Sequence, residues 1–252
     1  MNLNTKMINT WCPGCPNFGI LAAFKNTVNE LVTSGELRPE QLAIAAGIGC
    51  HGKIPDYLNV NSFIGLHGRS LPVLVGAKLA NPDLKVVGFV GDGDAYAEGL
   101  DHLLHAAKKN IDMTVIVHNN QVFALTTGQY TPMTPKGHKS RSAPYGNPEE
   151  PFNPLALLLA AGATFIARTY ALDIRHTQKV MADAMRHRGF SFVEIIQPCI
   201  TFYDTREILK EKMYPVENNT PDDIESARSF IYETDKVPLG VFYQVKKTIF
   251  EG

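Results

Sequence analysis

The stretch "KVVGFVGDGDAYAEGLDHLLHAAKKNIDMTVIVHNN", Lys85 to Asn120, decides the fold. It holds two apolar runs with a helix-forming segment between them, and each run ends in a polar cluster. Asp and Asn are poor strand residues, so "GDG" and "NN" mark the points where strands stop. Val86 to Val90 and Met113 to Val117 lack strict polar alternation, which is the pattern of strands buried on both faces of a parallel sheet. The intervening segment, about Ala95 to Lys109, reads as the crossover helix.

The same alternation extends outward in both directions. Upstream, Ile20, Leu21, Phe24, Val28 and Leu31 recur at helical spacing until Gly35. "LAIAAGIGC" (Leu42 to Cys50) reads as a buried strand ending in a glycine-punctuated loop. "NSFIGLHGRSLP" (Asn61 to Pro72) reads as a short strand, a turn at "HGR" and the start of a helix. Downstream, a helix near Pro154 to Ala161, the strand "ATFIARTY", a helix from Ile174 to His187 and the strand "FSFVEIIQP" ending at Cys199 follow in order. The expected fold is a mostly parallel, doubly wound α/β sheet, in which ligands bind beyond the carboxyl ends of the strands. Residues 1–205 form the site-bearing domain, and 206–252 are expected as a helical extension packed on it, broken by "YPVENNTPDD" and "DKVPLG". Between Thr127 and Pro154 a long connection rich in Pro, Gly and basic residues is either functional or disordered.

At 252 residues the chain can bury a full core, and its 44% hydrophobic and 19% charged residues are those of an ordinary globular protein. A formal net charge of -1 points away from nucleic acid and anionic membranes as main partners. No apolar run approaches the ~20 residues a membrane span requires. The N-terminal residues lack an apolar signal-peptide core, so a cytoplasmic location is expected.

Glycines in "GDG" let the backbone approach a ligand closely, and the helix start behind them favours an anion such as a diphosphate. Asp92 and the Asn120 amide offer hard oxygens, and the Val122 carbonyl supplies a third, a donor set suited to magnesium held jointly with phosphate oxygens. The competing reading is a capped turn, with Asp92 or Asp94 capping the helix. "GDG" and "NN" separated by 25 residues, each after a strand, are more selective than either alone. The four cysteines, Cys12, Cys15, Cys50 and Cys199, are either unrelated core residues or one metal site. "CPGC" favours the second, because its spacing turns two sulfurs toward one ligand.

"GDG…NN" resembles the thiamine diphosphate fingerprint, in which the Asp, the second Asn and the carbonyl two residues later hold magnesium. Together with "WCPGCPNFGIL" (Trp11 to Leu21), "GIGCHGKIPDYL" (Gly47 to Leu58), "LHGRSLPVLVGAKLANPDL" (Leu66 to Leu84) and "NNQVFALTTGQYTPMTP" (Asn119 to Pro135), the chain resembles the beta subunits of 2-oxoacid:ferredoxin oxidoreductases up to about Thr205. The resemblance implies CoA-dependent oxidative decarboxylation of a 2-oxoacid, or its reverse, with electrons passing to a [4Fe-4S] cluster and ferredoxin. It implies cluster ligation by Cys12, Cys15, Cys50 and Cys199, and magnesium held by Asp92, Asn120 and Val122. Thiamine diphosphate would contact Gly91, Asp92, Gly93, Asp94, Asn120, Val122, Leu125 and Thr126.

Lys53, His67 and Arg69 are candidate catalytic residues, placed to contact substrate or diphosphate; each has an ordinary structural reading beside it. His51 and His118 read as structural neighbours. Some relatives of the 2-oxoglutarate type carry lysine where this chain has Thr127, so the choice of 2-oxoacid stays open. No segment resembles the pyrimidine-binding domain, which in the family belongs to an alpha subunit, so a hetero-oligomer is expected. A non-redox thiamine lyase would leave the cysteines idle, and a zinc-stabilised binding protein would leave the "GDG…NN" oxygens idle.

Overall fold

A computed structural model describes residues 2–217 and 219–252; Met1, and Asn218 within the expected tail break, lie outside the described residues. Helix α1 (Asn17–Thr33) precedes strands β1 (Leu42–Ala46) and β2 (Asn61–Ile64), which are joined by a 3-10 segment, Cys50–Tyr57. Helix α2 (Ser70–Ala80), β3 (Lys85–Gly91), α3 (Leu100–Lys108) and β4 (Met113–Asn119) follow. A two-residue pair, β5 (Val122–Phe123) and β6 (Gln129–Tyr130), opens the long connection. After it come α4 (Pro154–Ala161), β7 (Phe165–Tyr170), α5 (Ile174–Arg186) and β8 (Phe190–Ile196). The tail holds α6 (Arg206–Lys212), β9 (Met213–Pro215), α7 (Ile224–Ile231) and β10 (Val237–Gln244).

Eight strands form one sheet in the order β2-β1-β3-β4-β8-β7-β10-β9, parallel from β2 through β7, with β10 antiparallel to β7. Alternate residues of the central strands serve opposite faces, because side chains along a strand alternate. Val87, Phe89, Ile116, Val193 and Ile195 pack with α1 and α5, while Val86, Val90, Val115, Val117 and Phe192 pack with α2, α3, α4 and α7. The doubly wound expectation matches this architecture. No helix among the described residues is long and apolar enough to cross a membrane.

Register decides where the site lies. Ala46 pairs with Phe89, Gly91 with His118 and Asn119 with Ile196. The chain therefore leaves β1, β3, β4 and β8 at one rim.

Two expectations are corrected. The helix after "GDG" does not run unbroken from Ala95: Asp94–Glu98 is a wide π-type turn, and α3 starts only at Leu100. Gly99 sits at the break, where the chain passes so close to the Gly68 carbonyl oxygen that a Cβ would meet it at 2.6 Å. The tail is not wholly helical either: "VPLGVFYQ" forms β10 and extends the sheet beyond β7. Its β-branched and aromatic residues suit a pleated surface, and Phe242 is fully buried there.

The connection 127–154 is ordered by its own polar groups. Asn147, buried, donates from Nδ2 to the Thr134 carbonyl at 2.8 Å. Its backbone exchanges 2.8 Å hydrogen bonds with Gly137 and His138, and Phe152 N donates to the Pro132 carbonyl at 2.9 Å.

At the opposite end of the sheet, Lys78 Nζ lies 2.9 Å from Asp112 Oδ2, and Gly189 N donates to Asp112 Oδ1 at 3.1 Å. Burial alone would raise this carboxyl, but the Lys78 hydrogen bond, the Lys85 charge and the Gly189 amide together hold it below its ordinary value. A depressed folded-state carboxyl stabilises the fold above the unfolded pKa of about 3.9, and that stability is lost as pH falls through the lower folded value. Asp112→Asn is accordingly expected to lower the melting temperature at pH 7 and to flatten its decline below about pH 4. Parallel melting curves for the two proteins across the acid range would refute this.

Candidate active site

A cavity of about 100 Å³ opens at the carboxyl rim, between the loops after β1, β3 and β4. Gly91, Asp92, Gly93, Asp94, Asn120, Val122, Leu125, Thr126 and His67 all line it, so register brings together the residues of the "GDG…NN" fingerprint and one of the three catalytic candidates. Asp92 is buried. Thr131 Oγ1 donates to its Oδ2 at 2.5 Å, and the Asn120 amide reaches Oδ1 only at 3.4 Å. Burial pushes the Asp92 carboxyl up to about 7 against those hydrogen bonds. Asn120 Oδ1 accepts from Val122 N at 3.1 Å across the left-handed Gln121 (φ 63°), a tight turn that presents the backbone of Val122 to the cavity.

Asp94, two residues on, is used differently. Its Oδ1 accepts from the backbone amides of Ile48 at 3.1 Å and Gly68 at 2.8 Å, and His67 Nδ1 lies 2.7 Å away. One carboxylate thereby ties three loops together. Burial opposes its charge, but the nearby His51, whose Nε2 lies 3.8 Å from Oδ2, and the Gly68 and Ile48 amides hold the carboxyl below its ordinary value. Neither Asp92 nor Asp94 caps the helical turn behind it, which removes the capped-turn reading.

The residues fit a bound polar group. His51 Nε2 and Asp94 Oδ2, both buried and both on the cavity-lining residues, have no hydrogen-bond partner among the described residues. Phe123 closes against Gly93, where any side chain would collide with its ring. His118 donates no charge here: burial, then the nearby His51, pushes it well below its ordinary range, and its Nδ1 is 2.8 Å from Asn17 Oδ1.

A second cavity, about 210 Å³, gathers Cys12, Cys15, Cys50 and Cys199 from three distant parts of the chain. All four are free thiols. The "CPGC" turn closes by Cys15 N donating to the Cys12 carbonyl at 3.0 Å across the left-handed Gly14. Trp11 Nε1 donates to the Cys50 carbonyl at 2.7 Å, and Gln197 Nε2 lies 3.8 Å from Cys15 Sγ. Burial, reinforced by the neighbouring sulfurs, raises the Cys50 thiol to about 11 and raises Cys15 as well. Among the described residues no group of three or more His, Cys, Asp or Glu is arranged to hold a metal ion. Cys50, Asn120, Ala124 and Leu125 border both cavities, so one thin wall separates them.

Two candidates do not line the Asp92 cavity. Lys53 lines the cysteine cavity, not the Asp92 cavity, and its Nζ donates to the Thr10 carbonyl at 3.2 Å. Arg69 lines neither. The left-handed Gly68 (φ 70°) turns His67 inward and leaves Arg69 exposed against His102 on α3. Thr131 and Glu194 were not singled out from the sequence. Glu194 is fully buried, accepting from Asn119 Nδ2 at 2.8 Å and Arg168 Nε at 2.7 Å. A lone carboxylate inside the apolar run "FSFVEII" was the available signal.

Residues 43–195 match the family model of the thiamine pyrophosphate enzyme C-terminal TPP-binding domain, and 199–252 match that of the C-terminal region of the pyruvate ferredoxin oxidoreductase beta subunit. The 2-oxoacid:ferredoxin oxidoreductase 1 subunit beta of Aeropyrum pernix is 38% identical over 95% of this chain and 79% of its own length. The 2-oxoglutarate synthase subunit KorB of Archaeoglobus fulgidus is 41% identical over 88% and 84%. A solved structure of the 2-oxoglutarate:ferredoxin oxidoreductase from Magnetococcus marinus, with 2-oxoglutarate, coenzyme A and succinyl-CoA bound, superposes with a TM-score of 0.95 at 32% identity, covering 99% of this chain and 86% of that one. Fold and site thus define a thiamine pyrophosphate-binding enzyme domain. The chain belongs to the beta subunits of the 2-oxoacid:ferredoxin oxidoreductases and is one subunit of a multi-subunit enzyme.

The Asp94 hub yields a test. A Cβ on Gly47 would run into the Asp94 carboxylate, which the Ile48 and Gly68 amides hold in place. Gly47→Ala is expected to destabilise by about 1–3 kcal/mol, the usual cost of overfilling a packed site, and to lower the thermal midpoint. An unchanged midpoint would show that the hub is slack.

Proposed function

We propose that the Asp92 cavity holds the diphosphate end of thiamine diphosphate with magnesium, and that the cysteine cavity holds a [4Fe-4S] cluster accepting electrons from it. The observation that carries this reading is the shared wall: the four thiols and the Asp92–Asn120 oxygens occupy adjoining cavities with Cys50, Ala124 and Leu125 between them. A zinc-stabilised binding protein would leave the Asp92–Asn120 oxygens without a use. A non-redox lyase would give the cysteine cavity no use.

When bound, the cofactor supplies the electron sink for decarboxylation of a 2-oxoacid, or for the reverse carboxylation. The chain's own residues bind and orient. Asp92, the Asn120 amide oxygen and the Val122 carbonyl hold the ion, and Gly91 and Gly93 let the backbone close on the diphosphate. Asp94 fixes the loops carrying Ile48 and His67, with Leu125 and Thr126 completing the wall. His67, about a third exposed, is the side chain best placed to meet substrate. Lys53 places a cation beside the thiolates rather than the substrate. The raised thiols mean that iron binding displaces protons from Cys50 and Cys15. The open cavity mouth is covered by the alpha subunit, which completes the cofactor site; coenzyme A accepts the acyl group, ferredoxin takes the electrons, and the complex works in the cytoplasm.

Anaerobic purification of the assembled enzyme, followed by iron, sulfide and zinc analysis, tests the cluster. About four irons per beta subunit are expected, with loss of iron and of the brown colour in Cys199→Ser. Stoichiometric zinc without sulfide would overturn the cluster assignment. Asp92→Asn is expected to lose bound thiamine diphosphate while keeping its iron. Retention of the cofactor by that variant would overturn the ion assignment.

A further inference from the structure

Asp92 is held asymmetrically, by a residue that has no part in the "GDG…NN" donor set. Thr131, buried, donates its hydroxyl proton to Asp92 Oδ2 at 2.5 Å. The Asp92 carboxylate is much the nearer acceptor for that proton: the Thr134 hydroxyl oxygen, which could also accept it, lies 3.5 Å away and sends its own proton to the Gln121 carbonyl. Thr131 Oγ1 accepts in turn from Met133 N at 3.2 Å. Thr131 N donates in turn to Thr134 Oγ1 at 2.8 Å, and Asn147 clamps the Thr134 carbonyl. The hydroxyl is thus fixed by the packed connection 127–154, and Oδ2 is committed to it. Oδ1 keeps only the long contact from the Asn120 amide, so it is the oxygen left to face an ion beside Asn120.

Magnesium is small, demands near-octahedral geometry and takes one oxygen per carboxylate in such sites, whereas calcium accepts more ligands and bidentate carboxylates. We propose that Thr131 is a positioning residue that selects magnesium over calcium, by tying up one oxygen of Asp92 and leaving it a one-oxygen ligand. The inference rests on the reading that Asp92 holds the cofactor's ion. A partner to a ligating carboxylate of this kind typically changes metal affinity by about 10–100-fold when removed. The effect expected here is specific to the small ion, because a carboxylate freed to swing or to chelate suits calcium better than magnesium.

The test is equilibrium dialysis of thiamine diphosphate against the assembled enzyme, with Mg2+ or Ca2+ titrated separately. Thr131→Val should raise the Mg2+ concentration for half-maximal cofactor retention by about tenfold or more, with a much smaller change for Ca2+, so that the preference between the ions narrows. Thr131→Ser should keep the wild-type preference. Thr131→Ala, which adds no methyl against Asp92, answers the same question if the valine variant does not assemble. Equal weakening with both ions, or no change with either, overturns the role of Thr131 while leaving Asp92 as ligand. Cofactor retention by the wild type without any divalent cation would overturn the ion site itself, and the inference with it.

Discussion

Level pairing of parallel strands is the constraint on which the rest of this structure depends. Four strands, β1, β3, β4 and β8, end at one rim, and each continues into a loop that carries chemistry: Cys50, Asp92, Asn120 and Cys199. Parallel strands need crossover connections, and the helices of those connections cover both faces. The rim is therefore the one place where these loops can meet without interrupting the core. A shift of one residue in β3 would turn its side chains to the opposite face and move Asp92 off the Asn120 turn.

Environment, not residue type, divides the labour between the two carboxylates of "GDGD". Asp92 has one short hydrogen bond and little else, so burial dominates and its proton is held up to about 7. Asp94 receives two amides and faces two histidines, so its charge is favoured despite burial. The first is a carboxylate short of a positive partner, which is what a divalent cation supplies. The second is held through Oδ1 by two backbone amides and serves as a fastener for the loops that shape the cavity. Only Gly93 separates them, yet one is suited to bind and the other to hold.

Much of this was legible because it is written in local patterns. Unalternating apolar runs gave the parallel sheet, and the polar residues just past them marked the rim. The "CPGC" pair with two further cysteines suggested one site before any geometry was known. What escaped the sequence shares a cause: it depends on contacts between distant segments. Thr131 is an ordinary threonine in a Pro-rich stretch until the fold sets it against Asp92. Gly99 looks like one more helix residue until the Gly68 backbone crowds it. Lys53 and Arg69 sit beside motif residues, but backbone turns carry them away from the Asp92 cavity. Strand β10 was hidden because Pro238 and Gly240 read as breakers, although proline is tolerated where its missing N–H faces no ladder partner.

The two cavities adjoin, and both are bordered by Cys50, Ala124 and Leu125. Under the proposed reading, that wall is the path for electrons from cofactor to cluster. The Asp92 cavity, at about 100 Å³, is too small to enclose a whole coenzyme with its substrate, since ligand pockets for molecules of that size run to about 300–1,000 Å³. Under the proposed reading, this chain encloses the anionic end of the cofactor, and the remaining enclosure comes from a second surface closing over the rim. Exclusion of water and choice of 2-oxoacid would then fall at the boundary between subunits, while the proposed ion and cluster ligands stay inside one core.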